Sequence, residues 1–279
     1  MSESAGRLEH DGVEIAWRRQ DGAGPAVVWL GGFHSEMTAT KASALADWAA
    51  AGGRGYLRFD YLGHGASGGR FEDGTITRWR GDALAVIDRL TEGPLVLVGS
   101  SMGGWIALLA AMVRPERVKA LVLVAPAADF TSRLLGPGLP PEAHEAIARD
   151  GRWTRPSAYD PDGYPITRAL LEDGARWSIL DSEIPITAPV RILQGGADPD
   201  VPWPHALELA NALKGPDVIF TLIRDGDHRL SRPQDIARLI AAVEEVAEGA
   251  SAVSARQSPR PARTAGSSPR RSGRRRHAP

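Results

Sequence analysis

The chain contains no cysteine, which excludes disulfides, thiolate metal sites and a cysteine nucleophile together. It also lacks any apolar run approaching the ~18 residues that a membrane-spanning helix requires. The opening residues, MSESAGRLEHDG, hold no basic stretch followed by an apolar core, so no secretory signal is read there. These absences lead to the expectation of a cytoplasmic protein without membrane insertion. Acidic residues are missing from one region only. From Gly249 to Pro279 there are eight arginines and no Asp or Glu. The whole chain carries a formal charge of −1, so the remaining body carries about −9, which argues against nucleic acid or an anionic membrane as its partner. The tail itself has almost no large apolar residue and is expected to be disordered, a solvated extension with at most a weak signal for an anionic surface.

What is present is a regular alternation. Short apolar runs occur at Ala26–Leu30, Gly55–Phe59, Leu95–Val98, Leu121–Val124, Val190–Leu193 and Val218–Ile223. Near-continuous runs of this length suit strands buried on both faces of a parallel sheet. Val13–Trp17 alternates better and reads as an antiparallel edge strand. Helical patterns lie between the runs, at Lys41–Ala51, Thr75–Leu90, Met102–Met112, Pro204–Leu213 and Pro233–Glu248. Thr75 is placed as an N-cap and Gly52-Gly53 as a C-cap signal. Strand–helix alternation predicts an α/β fold with a mostly parallel, doubly wound sheet. The rhythm breaks between residues 129 and 184, a stretch of prolines, glycines and aromatics without a convincing strand. Structureless loops of that length are uncommon in compact domains, so a helical lid insertion is expected there. The expected organisation is a core of residues 1–128 and 185–248, a lid of 129–184 and a tail of 249–279.

Gly99-Ser100-Ser101-Met102-Gly103 matches G-x-S-x-G. The motif stands directly after an apolar strand and before an apolar helix, the context of a nucleophile elbow. The flanking glycines centre the motif on Ser101. A hydroxyl is a poor nucleophile until a base removes its proton. Of the seven histidines, His228 follows the last strand run, at the sheet edge where catalytic groups of open α/β sheets gather. His34 and His64 follow earlier strands and are rivals, but they break the nucleophile–acid–base order. The acid is sought after Val190–Leu193, where Asp198 is preferred, with Asp200 and then Asp129 as alternatives; an Asx-turn beside Pro199 is the structural reading of Asp198. Oxyanion donors are expected from the Met102 amide and from the loop after the first core strand, where Phe33 is preferred to Gly32. The turn Asp60–Ser67 is read as structural, shaping the rim of the site.

These features resemble the α/β-hydrolase superfamily from Val13 to about Glu248. The segments GGFHSEMTATKASALADWA, LRFDYLGHGASGGRFEDGTITRW, GPLVLVGSSMGGW, GRWTRPSAYDPDGYPIT, ADPDVPW and DGDHRL are similar to its family of palmitoyl-protein thioesterases and acyl-glucuronide esterases. That resemblance implies the α/β-hydrolase fold, a serine hydrolase acting on esters or thioesters, and a triad of Ser101, Asp198 and His228. It implies no metal or cofactor, and a small-molecule or acylated-protein substrate. Trp153, Tyr159 and Trp177 of the lid are candidates for an apolar wall around the acyl group, with ordinary packing as the alternative. A carbon–carbon bond hydrolase with the same triad, or a non-catalytic binding module on the same fold, are the competing functions.

Overall fold

The computed structural model describes residues 3–156 and 163–257. Eight strands form the main sheet: β1 (Ser4–His10), β2 (Val13–Gln20), β3 (Ala23–Leu30), β4 (Arg54–Phe59), β5 (Leu95–Ser100), β6 (Val118–Val124), β9 (Val190–Gly195) and β10 (Val218–Ile223). Their order is β1-β2-β4-β3-β5-β6-β9-β10. β1 and β2 are antiparallel to their neighbours, and the strands from β4 to β10 run parallel. The expected strand at Val13–Trp17 is therefore not the edge. β1 covers it, with Ser4 paired to Arg19. β1 has only Leu8 buried, so it carries little of the apolar alternation that marks a strand.

The strands between β3 and β9 alternate between two apolar faces. Val27, Trp29, Val96, Val98, Val122 and Val124 point toward helices α1 (Thr40–Gly52) and α7 (Pro233–Gln257). Val28, Leu30, Leu97, Leu121 and Leu123 point toward α2 (Ile76–Leu90), α3 (Met102–Val113) and α6 (Trp203–Ala212). A sheet covered on both faces needs near-continuous apolar strands, which accounts for the runs in the sequence. α3 is buried from Met102 through Ala111, whereas α2 buries one stripe. Thr75 caps α2 as expected, its side chain accepting from the Arg78 amide at 3.1 Å.

The segment between β6 and β9 contains α4 (Pro141–Asp150), α5 (Arg168–Gly174), a π-helical turn at Thr131–Leu135 and a two-stranded antiparallel sheet of β7 (Arg152–Arg155) and β8 (Tyr164–Thr167). The strands were not expected. Each has four residues and β7 is mostly exposed, too short and too wet for a hydrophobic period to show. At the other end, α7 continues to Gln257, past the expected tail boundary at Gly249. The alanine-rich sequence GASAVSA sustains a helix by propensity. The rest of the expected tail, 258–279, lies outside the described residues. Among the described residues, no helix is long and apolar enough to cross a membrane.

Candidate active site

Ser101 occupies the turn between β5 and α3 with φ 53° and ψ −120°, a conformation that a non-glycine residue adopts only under constraint from its surroundings. Its amide donates to Val124 O at 2.9 Å, and its carbonyl accepts from Gly104 and Ala127. Two glycines of the motif make the turn sterically feasible. A Cβ on Gly99 would lie 2.3 Å from Gly103 O, and one on Gly103 would lie 2.1 Å from Leu30 O. The strand and helix therefore approach more closely than any side chain would permit.

His228 and Asp198 arrive from adjacent strands. The loop after β9 and the loop after β10 touch backbone to backbone: a Cβ on Gly195 would stand 2.4 Å from Gly226 O, and one on Gly196 2.6 Å from Arg224 O. His228 Nε2 lies 3.1 Å from Ser101 Oγ, and Nδ1 lies 2.8 Å from Asp198 Oδ2. Asp198 is fully enclosed while His228 retains 19% exposure. The second oxygen of Asp198 accepts the Asp200 and Val201 amides, each at 2.9 Å. The Asx-turn and the histidine contact are thus simultaneous, one on each oxygen.

Neither rival acid is hydrogen-bonded to the imidazole among the described residues, although the Asp200 carboxylate lies within 4.8 Å of Asp198 and His228. Asp129 is buried and accepts from the amides of Ile179 and Leu180 and from Ser178 Oγ, closing the segment between β6 and β9 onto its own start. Asp200 pairs with Arg155 at 3.5 Å. His64, a rival base, is part of the scaffold: Nδ1–H donates to Leu62 O at 3.0 Å, and Nε2 accepts the His34 amide at 3.1 Å. Burial pushes its imidazole down to about 4, with the Leu62 bond opposing and the neighbouring His34 adding to the decrease. It is therefore neutral at pH 7 and free to accept. Asp60 similarly accepts the Met37 amide at 2.6 Å and the Ala66 amide at 2.8 Å; burial raises its pKa, against those bonds. Together they fasten the loop after β3 to the turn after β4.

That loop passes beside the nucleophile. A Cβ on Gly32 would meet Ser101 Cβ at 3.3 Å. Among the described residues, neither the Phe33 nor the Met102 amide donates an intramolecular hydrogen bond. The Phe33 ring packs edge-on against Phe71 and Trp79 and within 5.8 Å of Phe130, and Tyr164 of β8 stands 6.2 Å away. This aromatic group was not foreseen, because its members come from four separate segments. Of the anticipated wall residues, Trp153 and Trp177 both pack, partly buried, against the main apolar core. Trp177 donates to Thr77 Oγ1 at 2.7 Å and lies under the Arg80 guanidinium, contacts made on α2. Tyr159 lies outside the described residues. Gln194 was also missed: wholly buried on β9, its Nε2 donates to Asp198 Oδ2 at 3.1 Å and to Val201 O at 2.9 Å. A glutamine directly after the apolar run Val190–Leu193, still within the buried strand, is the signal that could have found it.

An elbow serine, a histidine and a carboxylate in hydrogen-bond sequence at the carboxyl edge of a mostly parallel sheet define a class of protein, the α/β hydrolases. The family model described as Alpha/beta hydrolase family matches residues 27–247, and the chain belongs to that family. It is 38% identical over 240 residues to the mitochondrial palmitoyl-protein thioesterase ABHD10 of Mus musculus, covering 86% of this chain and 80% of the relative. The human protein of the same name is 35% identical over 240 residues, covering 86% of this chain and 78% of the relative. The solved structure of mouse α/β-hydrolase domain-containing protein 10 superposes with a TM-score of 0.81 at 36% identity, covering 88% of this chain and 99% of that one. A chain from Agrobacterium vitis S4, provisionally described as a hydrolase, gives 0.84 at 46% identity, with 88% and 98% covered. The relatives are named mitochondrial, and this overturns the cytoplasmic expectation. That expectation rested on missing signals, and a missing signal identifies no compartment.

Proposed function

We propose that the protein is a serine hydrolase that cleaves carboxylic esters or thioesters through an acyl-enzyme, with Ser101 as nucleophile, His228 as general base and acid, and Asp198 as the carboxylate behind it. The observation that carries this reading is the unbroken hydrogen-bond chain from Ser101 Oγ through His228 to Asp198 Oδ2. His228 Nε2 takes the Ser101 proton as Oγ attacks the acyl carbonyl carbon. The carbonyl oxygen becomes an oxyanion facing the Met102 and Phe33 amides, whose N–H groups have no partner among the described residues. Collapse breaks the bond to the leaving sulfur or oxygen, which takes its proton from the imidazolium. Water, deprotonated by the neutral imidazole, then attacks the acyl-serine, releasing the acid and restoring Ser101.

The substrate class rests on the relatives, whose name describes a palmitoyl-protein thioesterase. An acylated protein or small acyl thioester is the proposed substrate, with residues 129–184 as a lid. The aromatic group around Phe33 supplies apolar surface for the acyl chain, with Trp153 and Trp177 as further wall residues in this proposal. Comparison of kcat/KM for S-palmitoyl peptide, acyl-CoA and acyl-glucuronide substrates tests it. A preference for S-acyl substrates that disappears in Ser101→Ala is expected. Turnover of none of them by the native chain would remove the proposed substrate class.

A further inference from the structure

Lys41 stands in the first turn of α1, which holds no acidic residue. A cation there opposes the positive end of the helix dipole, so local helix physics does not account for the residue. Its tertiary contacts do. Nζ donates to Arg229 O at 2.5 Å and reaches Ser231 Oγ at 3.5 Å, across 188 positions of sequence. Arg229 is the residue immediately after His228. The half-buried ammonium therefore grips the backbone that carries the imidazole.

We infer that Lys41 is a positioning residue, which ties the His228 loop to α1 and so fixes where the imidazole stands over Ser101. The inference rests on the serine hydrolase reading above. On its upstream side the loop is held by glycine contacts with the loop of Asp198 and by the Ala197 amide donating to Gly226 O. On its downstream side, Leu230 N–H donates back to Asp227 Oδ1 within the same loop, and Lys41 supplies an anchor from another element. The segment that delivers Lys41 begins at Gly31–Gly32 beside the nucleophile. It is pinned along its length, at the His34 amide by His64 and at the Met37 amide by Asp60. One stretch of chain thus sets the proposed oxyanion donor Phe33 and, eight residues further along by sequence, the histidine loop. A shift of either is transmitted to the other through Lys41.

The charge state of this anchor is accessible. Burial and, to a smaller extent, the Arg229 charge lower the ammonium to about 8, with Asp227 opposing them. Loss of the proton above that pH turns a charge-assisted bond into a neutral one, about half as strong.

The test compares wild type, Lys41→Met and Lys41→Arg by the rate of Ser101 labelling with a fluorophosphonate probe and by kcat and KM on a p-nitrophenyl ester, from pH 6 to 10. Misplacing a reacting group costs up to ~100-fold. Lys41→Met is therefore expected to lose about 10- to 100-fold in labelling rate and kcat at pH 7, with KM unchanged. Lys41→Arg is expected to recover most of the loss and to keep its activity above pH 8, where wild-type kcat declines. Equal labelling rates and matching pH profiles in wild type and Lys41→Met would overturn the inference, as would a loss in Lys41→Met that Lys41→Arg does not restore. If the wild type does not label at all, the hydrolase reading fails instead, so the two failures are distinguishable.

Discussion

Asp198 meets His228 through one oxygen only. Oδ2 lies 2.8 Å from Nδ1, while Oδ1 is taken up by the amides of Asp200 and Val201. The carboxylate cannot rotate toward the imidazole without releasing two backbone donors, so its orientation is fixed by its own loop. Asp198→Asn would present an amide N–H on one of those two sides. A fall in kcat of ~10⁴ is expected, on the scale seen when the third member of such a triad loses its charge. Asp200→Asn removes the ion pair with Arg155 and a carboxylate within 4.8 Å of Asp198 and His228; because Asp200 is not the hydrogen-bond partner of the imidazole, its kcat is expected to fall far less than that of Asp198→Asn. Steady-state kinetics on a short p-nitrophenyl ester measures both.

Gln194 holds the same loop from below. Gln194→Leu deprives Val201 O of its donor and Asp198 Oδ2 of its second one. Leaving such buried groups unpaired costs ~1–3 kcal/mol. Urea denaturation is expected to show a loss in that range, with kcat reduced as well, since the carboxylate is less firmly held.

Glycines differ in what they tolerate according to where they stand, Gly103 in the elbow and Gly138 in a turn between β6 and β9. Gly103→Ala places a methyl 2.1 Å from Leu30 O, whereas Gly138 has nothing within 4 Å of the added carbon. The first substitution is expected to cost more than ~3 kcal/mol, beyond ordinary overpacking. The second is expected to stay within ~0.5 kcal/mol. Thermal denaturation of the two variants checks the contrast.

His64 makes stability depend on pH. Its folded-state value of about 4 lies below the ~6.5 of an unfolded histidine. Below pH 6.5 the unfolded chain therefore binds the proton that the folded chain refuses. The stabilisation is present above pH 6.5 and is lost as pH falls toward 4, amounting to ~3 kcal/mol across that window. Protonation would also replace the acceptor for the His34 amide with a donor. Wild type is expected to lose more stability between pH 7 and 5 than His64→Gln, measured by urea titration at each pH. A parallel loss in both would show that other groups carry the dependence.

Much of this arrangement was legible in the chain, and the exceptions have physical causes. The buried strands were visible because a sheet covered on both faces demands unbroken apolar runs. Ser101, Asp198 and His228 could be selected because each follows one of those runs, and runs end at the same sheet edge. The strand β1 escaped because an edge strand needs little apolar residue, and β7 with β8 because four residues are too few to show a period. The roles of His64 and Asp60 depend on which backbone amides face them, a matter of tertiary placement that no local pattern encodes. Lys41 is a further example: a lysine within a helix ordinarily reads as a solvated face. The aromatic group around Phe33 is assembled from residues as distant as Phe71, Phe130 and Tyr164, whose meeting no single segment encodes. The tail boundary was misjudged because polar, alanine-rich sequence satisfies both a helix and a linker.

The central claim is that Ser101 becomes acylated with His228 as its base. Intact-mass measurement after brief reaction with a fluorophosphonate, followed by peptide mapping, tests it most directly. The account predicts one adduct per chain, located on Ser101, absent in Ser101→Ala and formed far more slowly in His228→Gln. A native chain that remains unmodified while a control serine hydrolase reacts, or an adduct mapped to any other residue, would contradict it.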